Sequence, residues 1–160
     1  MIVPVSYAEI LDAPNWPPLR AEYAAECGED FGEPQVQMYK ELEISGRLQC
    51  FGAYLSGNLI GFVSVLIGIV PHHGNKVAAI ESIFVSRANR DSGAGNELLD
   101  CAERCASDSG CMTLIYTARA GSALETILSR RSGCRRSHTM FTRAIVGGND
   151  IVETELPPCR

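Results

Sequence analysis

Ala79-Ile80-Glu81-Ser82-Ile83-Phe84-Val85, followed four residues later by Arg90-Asp91-Ser92-Gly93-Ala94-Gly95-Asn96-Glu97-Leu98-Leu99, decides the fold. From Val77 to Val85 the chain is apolar except at Glu81 and Ser82, as a central strand covered on both faces is. Past the turn, Leu98, Leu99, Ala102 and Ala106 fall on one helical face. Gly93 and Gly95 clear side chains from the start of that helix, where the first N–H groups have no partner within it. A phosphate can take those N–H groups, so strand, glycine turn and helix together read as an anion cradle. The spacing is not the dinucleotide fingerprint, and no long βαβαβ pattern follows. Nor does a Gly-Lys-Ser/Thr follow, as a Walker loop requires. A glycine pair also serves simple close packing of strand and helix, so the remaining chain has to support the cradle.

Working outward, Ile2 to Val5 reads as a first strand, with a proline-punctuated segment at Pro14-Asn15-Trp16-Pro17-Pro18 after it. Helices are expected over Leu19 to Cys27 and, entered at Pro34, over Gln35 to Ile44. An acidic loop, Gly28 to Glu33, separates them. Arg47 to Leu55 and Leu59 to Val70 read as an antiparallel hairpin turning at Ser56-Gly57-Asn58. The helix from Gly95 to Ser109 stops at Gly110. Cys111 to Thr117 is a further apolar strand. Ser122 caps a helix to Arg131 that Gly133 ends, and Arg135 to Ile145 contains the last strand pairing.

The chain has 160 residues, enough for one domain with its own core but not for two. Its net charge of −5 carries no basic footprint, which argues against nucleic acid as a partner. Leu59 to Val70, the longest apolar run, is too short to cross a bilayer. With no basic segment before an apolar one at the N-terminus, no cleavable signal is expected and a cytoplasmic protein without membrane contact is. Seven cysteines, an odd number with no Cys-x-x-Cys pair, fit reduced thiols better than disulfides. Cys101 and Cys105 read as small apolar filling, and His72-His73 as a solvated turn, so no metal is expected.

Arg90, Gly93 and Gly95 satisfy the three fixed positions of Gln/Arg-x-x-Gly-x-Gly/Ala, and at these residues the chain resembles the GNAT superfamily of acyl-CoA-dependent N-acyltransferases. The resemblance spans roughly Val3 to Ile145 and also covers the element order. It implies an α/β fold, a single domain over 1–146 with a mixed, splayed central sheet flanked by helices, and a tail over 147–160. It implies that backbone at Ile83, Phe84 and Val85 pairs with the pantetheine arm. The pyrophosphate of coenzyme A would lie on Arg90, Asp91, Ser92, Gly93, Ala94, Gly95 and Asn96, with acetyl-CoA as co-substrate. The altered helix opening is also similar to that of short phage-encoded members.

Acyl transfer to an amine needs a held thioester, a polarised carbonyl, an amine freed of its proton and a stabilised thiolate. A backbone N–H near Ile83 to Val85 is placed to polarise the carbonyl. An alkylammonium has a pKa near ~10, so a base is required at neutral pH. Glu81 is the candidate, at the offset where polyamine and aminoglycoside acetylating branches of the family often carry glutamate. Strand alternation puts it on the face of Ile83 and Val85, where burial would raise its pKa. The alternatives are a bulge that re-aims it and a purely structural hydrogen bond there.

The leaving-group position departs from the family. Its usual tyrosine is replaced by Ser129, a hydrogen-bond donor but a poor acid, and its usual asparagine by Ser122. A coenzyme A thiol can leave as an anion. Tyr116 is an alternative donor whose simpler reading is as a core aromatic.

An acidic rim of Glu26, Glu29, Asp30 and Glu33 would steer a cationic amine, unless it serves solubility alone. Trp16 and Phe31 either wall the acceptor site or cover the core. The short C-terminal region leaves the acceptor cleft open unless a homodimer partner or the tail closes it. The expectation is acetyl transfer to a primary amine by direct attack in a ternary complex. The acceptor stays open between a small polyamine or amino-sugar and a protein lysine or N-terminus, and the donor between acetyl and succinyl-CoA. The rival reading is a catalytically impaired coenzyme A-binding or adaptor protein.

Overall fold

Ser56 and Gly57 both take positive φ, 50° and 81°, and fold the chain back on itself between the strands Leu48–Leu55 and Asn58–Ile69. Two left-handed residues in succession match the right-handed twist of the strands that they join. The computed structural model describes residues 1–27 and 33–140. Within them β1 is Ile2–Val5, α1 Tyr7–Leu11, α2 Trp16–Cys27, α3 Val36–Ile44, β2 Leu48–Leu55, β3 Asn58–Ile69 and β4 Lys76–Val85. A 3₁₀ helix, Arg87–Ser92, leads into α4, Ala94–Asp108, then β5, Thr113–Ile115, and α5, Ala123–Arg130. The chain forms two compact units, Met1–Thr117 and Ala118–Arg160.

The first unit holds one five-stranded sheet in the order β1-β2-β3-β4-β5. The first four strands pair antiparallel, and β5 lies parallel to β4. One face is hydrocarbon: Val63, Val65, Ala78 and Ile80 pack with Ala94, Leu98, Ala102 and Ala106 of α4. The other carries aromatics. Leu48, Cys50, Phe62 and Phe84 pack there with Tyr7 and Ile10 of α1 and Trp16 and Leu19 of α2. Trp16 is buried edge-on to Phe62, so it covers the core.

The helix α1 was not among the expected elements, although its signal is present. Ser6-Tyr-Ala-Glu9 forms a complete capping box, the Ser6 side chain accepting from Glu9 N and the Glu9 carboxylate accepting from Ser6 N. The helix expected from Leu19 begins at Trp16, because prolines in a first turn forfeit no hydrogen bond. The strand expected over Cys111 to Thr117 shrinks to Thr113–Ile115, which meets β4 only at Val77 to Ala79. Residues 135–140 of the expected last strand hold none; 141–145 lie outside the described residues, as does the tail 147–160. In the second unit Ser122 caps α5 by accepting from Glu125 N, and Gly133 follows the helix at φ 77°. No helix among the described residues is long and apolar enough to cross a membrane.

Candidate active site

Gly61 on β3 sets how closely β4 can approach. A Cβ there would stand 2.6 Å from the Phe84 carbonyl oxygen, so only glycine lets the two strands run together to Val85. On its other side β4 pairs with β5 only through Ala79. Among the described residues Ile80 to Val85 therefore keep an edge that no strand covers, as the splayed sheet anticipated from the sequence requires.

Past Val85 the chain tightens into the 3₁₀ helix. Ser92 Oγ donates to the Asn89 carbonyl at 2.6 Å and accepts from Ala94 N at 3.3 Å. Gly93 caps α4 at φ 85°, a left-handed conformation that costs any other residue strain. The bond from Glu97 N to Gly93 O, 3.1 Å, opens the helical ladder, so the N–H groups of Gly95 and Asn96 precede it. A Cβ at Gly95 would meet only Val85 Cγ2, at 3.9 Å. No other atom of the described residues comes within 4 Å of it, and the amides and the open β4 edge fit a pyrophosphate and a pantetheine arm. Asp91 and Asn96 are exposed here, while the Ala94 methyl is buried in the core.

Two carboxylates four residues apart on α2 staple this turn from outside. Glu22 accepts from Arg87 N at 2.9 Å, and Glu26 accepts from Arg87 Nε at 3.3 Å and from Arg90 Nη2 at 2.5 Å. The Nε of Arg90 donates back to the Val85 carbonyl at 3.2 Å. The acidic rim is corrected accordingly: Glu26 is spent on Arg87 and Arg90, and Glu33 pairs with Arg20 at 2.7 Å. Glu29, Asp30 and Phe31 lie outside the described residues.

Glu81 is not on the face of Ile83 and Val85. Ser64 pairs with Ser82 and Val65 with Ile80, leaving Glu81 as the extra residue of a β-bulge. The bulge swaps the strand's faces, so Ile80 before it and Ile83 after it both lie toward α4. Glu81 is exposed rather than desolvated, and its Oε1 accepts from the Tyr39 hydroxyl at 2.8 Å. Both features raised as alternatives for this strand are present: the bulge re-aims Glu81, and a hydrogen bond meets it there.

The partners of Glu81 escaped sequence reading. The Tyr39 ring stacks on Tyr7 of α1 at 3.6 Å between centroids and 8° between planes. Burial first, and Glu81 after it, push the Tyr39 hydroxyl up. Tyr7 is raised by burial, and Tyr23 by burial and then by Cys27, with Glu81 adding to both. Beneath them Cys50 Sγ and Ser64 Oγ lie 3.4 Å apart, and burial pushes the Cys50 thiol up to about 12. Ser82, opposite Ser64, has a buried hydroxyl without a partner among the described residues. The available signal was Tyr39, Leu42 and Glu43 at helical spacing, which marks one face of α3.

Both candidate leaving-group donors already give their protons elsewhere. Ser129, in the second unit, donates to the Glu125 carbonyl at 2.7 Å. Tyr116 donates to Glu103 Oε1 at 2.7 Å. Among the described residues no group of three His, Cys, Asp or Glu could hold a metal. Cys105 is buried and donates to Gln49 Oε1, and His72-His73 lie in an exposed turn.

Comparison with known proteins identifies the family. The family model described as "Acetyltransferase (GNAT) family" matches residues 16–127, more than half of the chain. Among solved structures, a ribosomal-protein-alanine N-acetyltransferase from Brucella melitensis biovar Abortus 2308 is 21% identical. The alignment covers 91% of this chain and 99% of that one, with a TM-score of 0.67. An aminoglycoside acetyltransferase from an uncultured soil metagenomic sample, solved with sisomicin, is 15% identical over 91% and 96% of the two chains, with a TM-score of 0.71. The structure of AAC(6')-Iy with a coenzyme A bisubstrate analog is 20% identical over 91% and 98%, at a TM-score of 0.67. At these identities the likeness is one of fold. No curated protein matches the sequence.

Proposed function

The chain belongs to the GNAT acetyltransferase family and is an acyltransferase, and we propose that it moves the acetyl group of acetyl-CoA to a primary amine by direct attack in a ternary complex. The observation that carries this reading is the layout of one strand. From its bulge at Glu81, β4 runs along an edge that has no strand partner among the described residues into the amides that open α4. A carboxylate and an anion cradle thus lie at two ends of one open edge, where base and acyl donor have to meet.

In this reading the amides of Gly95 and Asn96 hold the pyrophosphate, and the backbone of Ile83, Phe84 and Val85 aligns the thioester arm. Arg90, Asp91, Ser92, Gly93 and Ala94 shape the turn that presents those amides. Bound acetyl-CoA supplies an acyl carbon on a thioester, and the amine nitrogen takes it as the thiol departs. Glu81 removes the ammonium proton, directly or through water, and its exposure leaves it open to a solvated amine. Ser129 would have to give up its bond to the Glu125 carbonyl before it could serve the sulfur, so departure as a thiolate suits these residues better. Polyamines, amino-sugars and protein amines all fit an exposed carboxylate.

The test is calorimetric titration with acetyl-CoA, followed on the same sample by thiol release with spermidine, sisomicin and a peptide bearing a free N-terminal alanine. Binding with amine-dependent release is the expected outcome. Failure to bind acetyl-CoA would remove the cradle assignment and favour an adaptor.

A further inference from the structure

We propose that Tyr39 is a positioning residue for Glu81, aiming its carboxylate by a hydroxyl bond to Oε1 and leaving Oε2 to take the proton of the acceptor amine. This rests on the reading of Glu81 as the base. A bulge residue on a strand has no pleat to hold its side chain against. Left alone, an exposed glutamate samples several rotamers, and a base has to lie within hydrogen-bond reach of the proton that it removes.

The bond from Tyr39 supplies the missing constraint, and Tyr39 is itself constrained. Its ring lies flat on Tyr7, which is buried. Four residues along α3, Glu43 Oε1 accepts from Tyr7 N at 2.6 Å, so α3 is pinned to α1 at two points of one helical face. A carboxylate on β4 is thereby held through α3 by α1, across a sequence separation of 42 residues between Tyr39 and Glu81. The groups around Glu81 are Tyr39 of α3, Tyr7 of α1, Tyr23 of α2 and Cys50 of β2. All are raised first by burial and further by the charge of Glu81, so they stay neutral. Tyr39 therefore remains a donor through the neutral range.

Tyr39→Phe keeps the stacked ring and removes only the hydroxyl. In the protein without ligand, alkaline titration of tyrosinate absorbance reads the bond itself. Glu81→Gln is expected to bring Tyr39, which loses both the bond and the charge, to lower pH, with smaller shifts at Tyr7 and Tyr23 that lose the charge alone, and Tyr39→Phe to remove the largest of these shifts. This readout stands whether or not an acceptor has been found. With acetyl-CoA and the best of spermidine, sisomicin or the alanine peptide, Tyr39→Phe should lower kcat about 10-fold with the KM for acetyl-CoA unchanged. The acid limb of its pH–rate profile should move to higher pH, because a lost donor disfavours the charged carboxylate.

An unchanged tyrosine titration in Glu81→Gln, or wild-type kcat and acid limb in Tyr39→Phe, would overturn the proposal. So would a loss of kcat accompanied by weaker acetyl-CoA binding or a lowered melting temperature, which would mark a structural role. If Glu81→Gln itself keeps the wild-type rate and profile, the assignment of the base fails first. If Glu81→Gln is inactive while Tyr39→Phe is normal, only the positioning role falls.

Discussion

The two faces of the sheet differ in what they bury. Toward α4 the contacts are alanine, valine, leucine and isoleucine, with Leu98 and Ala102 entirely inaccessible. Toward α1, α2 and α3 they include four tyrosines, a tryptophan and two phenylalanines, over a row of Cys50, Ser64 and Ser82. The first face is governed by shape and apolar area, and its buried thiol, Cys105, is bonded to Gln49. The second keeps hydroxyls in low-dielectric surroundings, where each must be bonded or held for a partner. One inserted residue joins the two, because the bulge at Glu81 moves a carboxylate from the face that alternation assigns it to the aromatic one.

The sharpest way to break this division is at the bulge. Glu81→Gln should lower kcat by about 10²–10⁴-fold, the usual worth of a general base, while acetyl-CoA affinity measured by calorimetry stays as it was. On the apolar face, Leu98→Ala should cost about 2–5 kcal/mol in urea unfolding without altering the pH–rate profile of the folded enzyme. A change in that profile would show that the faces are coupled. At the cradle, Gly93→Val forces a β-branched residue to φ 85° and should cost about 1–3 kcal/mol, which carried wholly into the cradle is acetyl-CoA binding about 5- to 150-fold weaker.

The aromatic face also predicts an alkaline weakness. The Cys50 thiol is raised by burial from 9.0 to about 12. It stays neutral in the folded chain while the unfolded chain ionises, so its contribution is complete below pH 9.0 and is lost as the pH rises toward about 12. Cys50→Ala should flatten that decline by up to about 1.4 kcal/mol per pH unit in denaturant titrations. The smallest effect belongs to the α2 staple. Glu26→Gln should change stability by less than about 1 kcal/mol and only at low salt, because Arg87 and Arg90 lie largely in water.

The cradle was legible because it is contiguous. A strand, a left-handed glycine and a helix start are backbone features, and the residues that make them lie within one stretch from Ala79 to Leu99. The hairpin at Ser56-Gly57 and the helix stops at Gly110 and Gly133 were legible for the same reason. The acceptor side was not. Glu81 was identified as a carboxylate in need of a reason, but its face depended on a pairing with Ser64 that local alternation does not encode. The length of β5 depended likewise on where β4 offered a partner, and the acidic rim on which arginines α2 came to meet.

By itself, then, the sequence determined the family, most of the elements and the glycine turn that opens α4, all of which follow from the local conformational limits of glycine, proline and alternating apolar residues. Only the tertiary structure decided that Glu81 faces Tyr39, that Tyr7 holds Tyr39, and that Glu26 claims Arg90. These contacts join residues separated by 42, 32 and 64 positions. A side chain's partner at that range is set by how strands register and helices dock, and no local pattern carries that information.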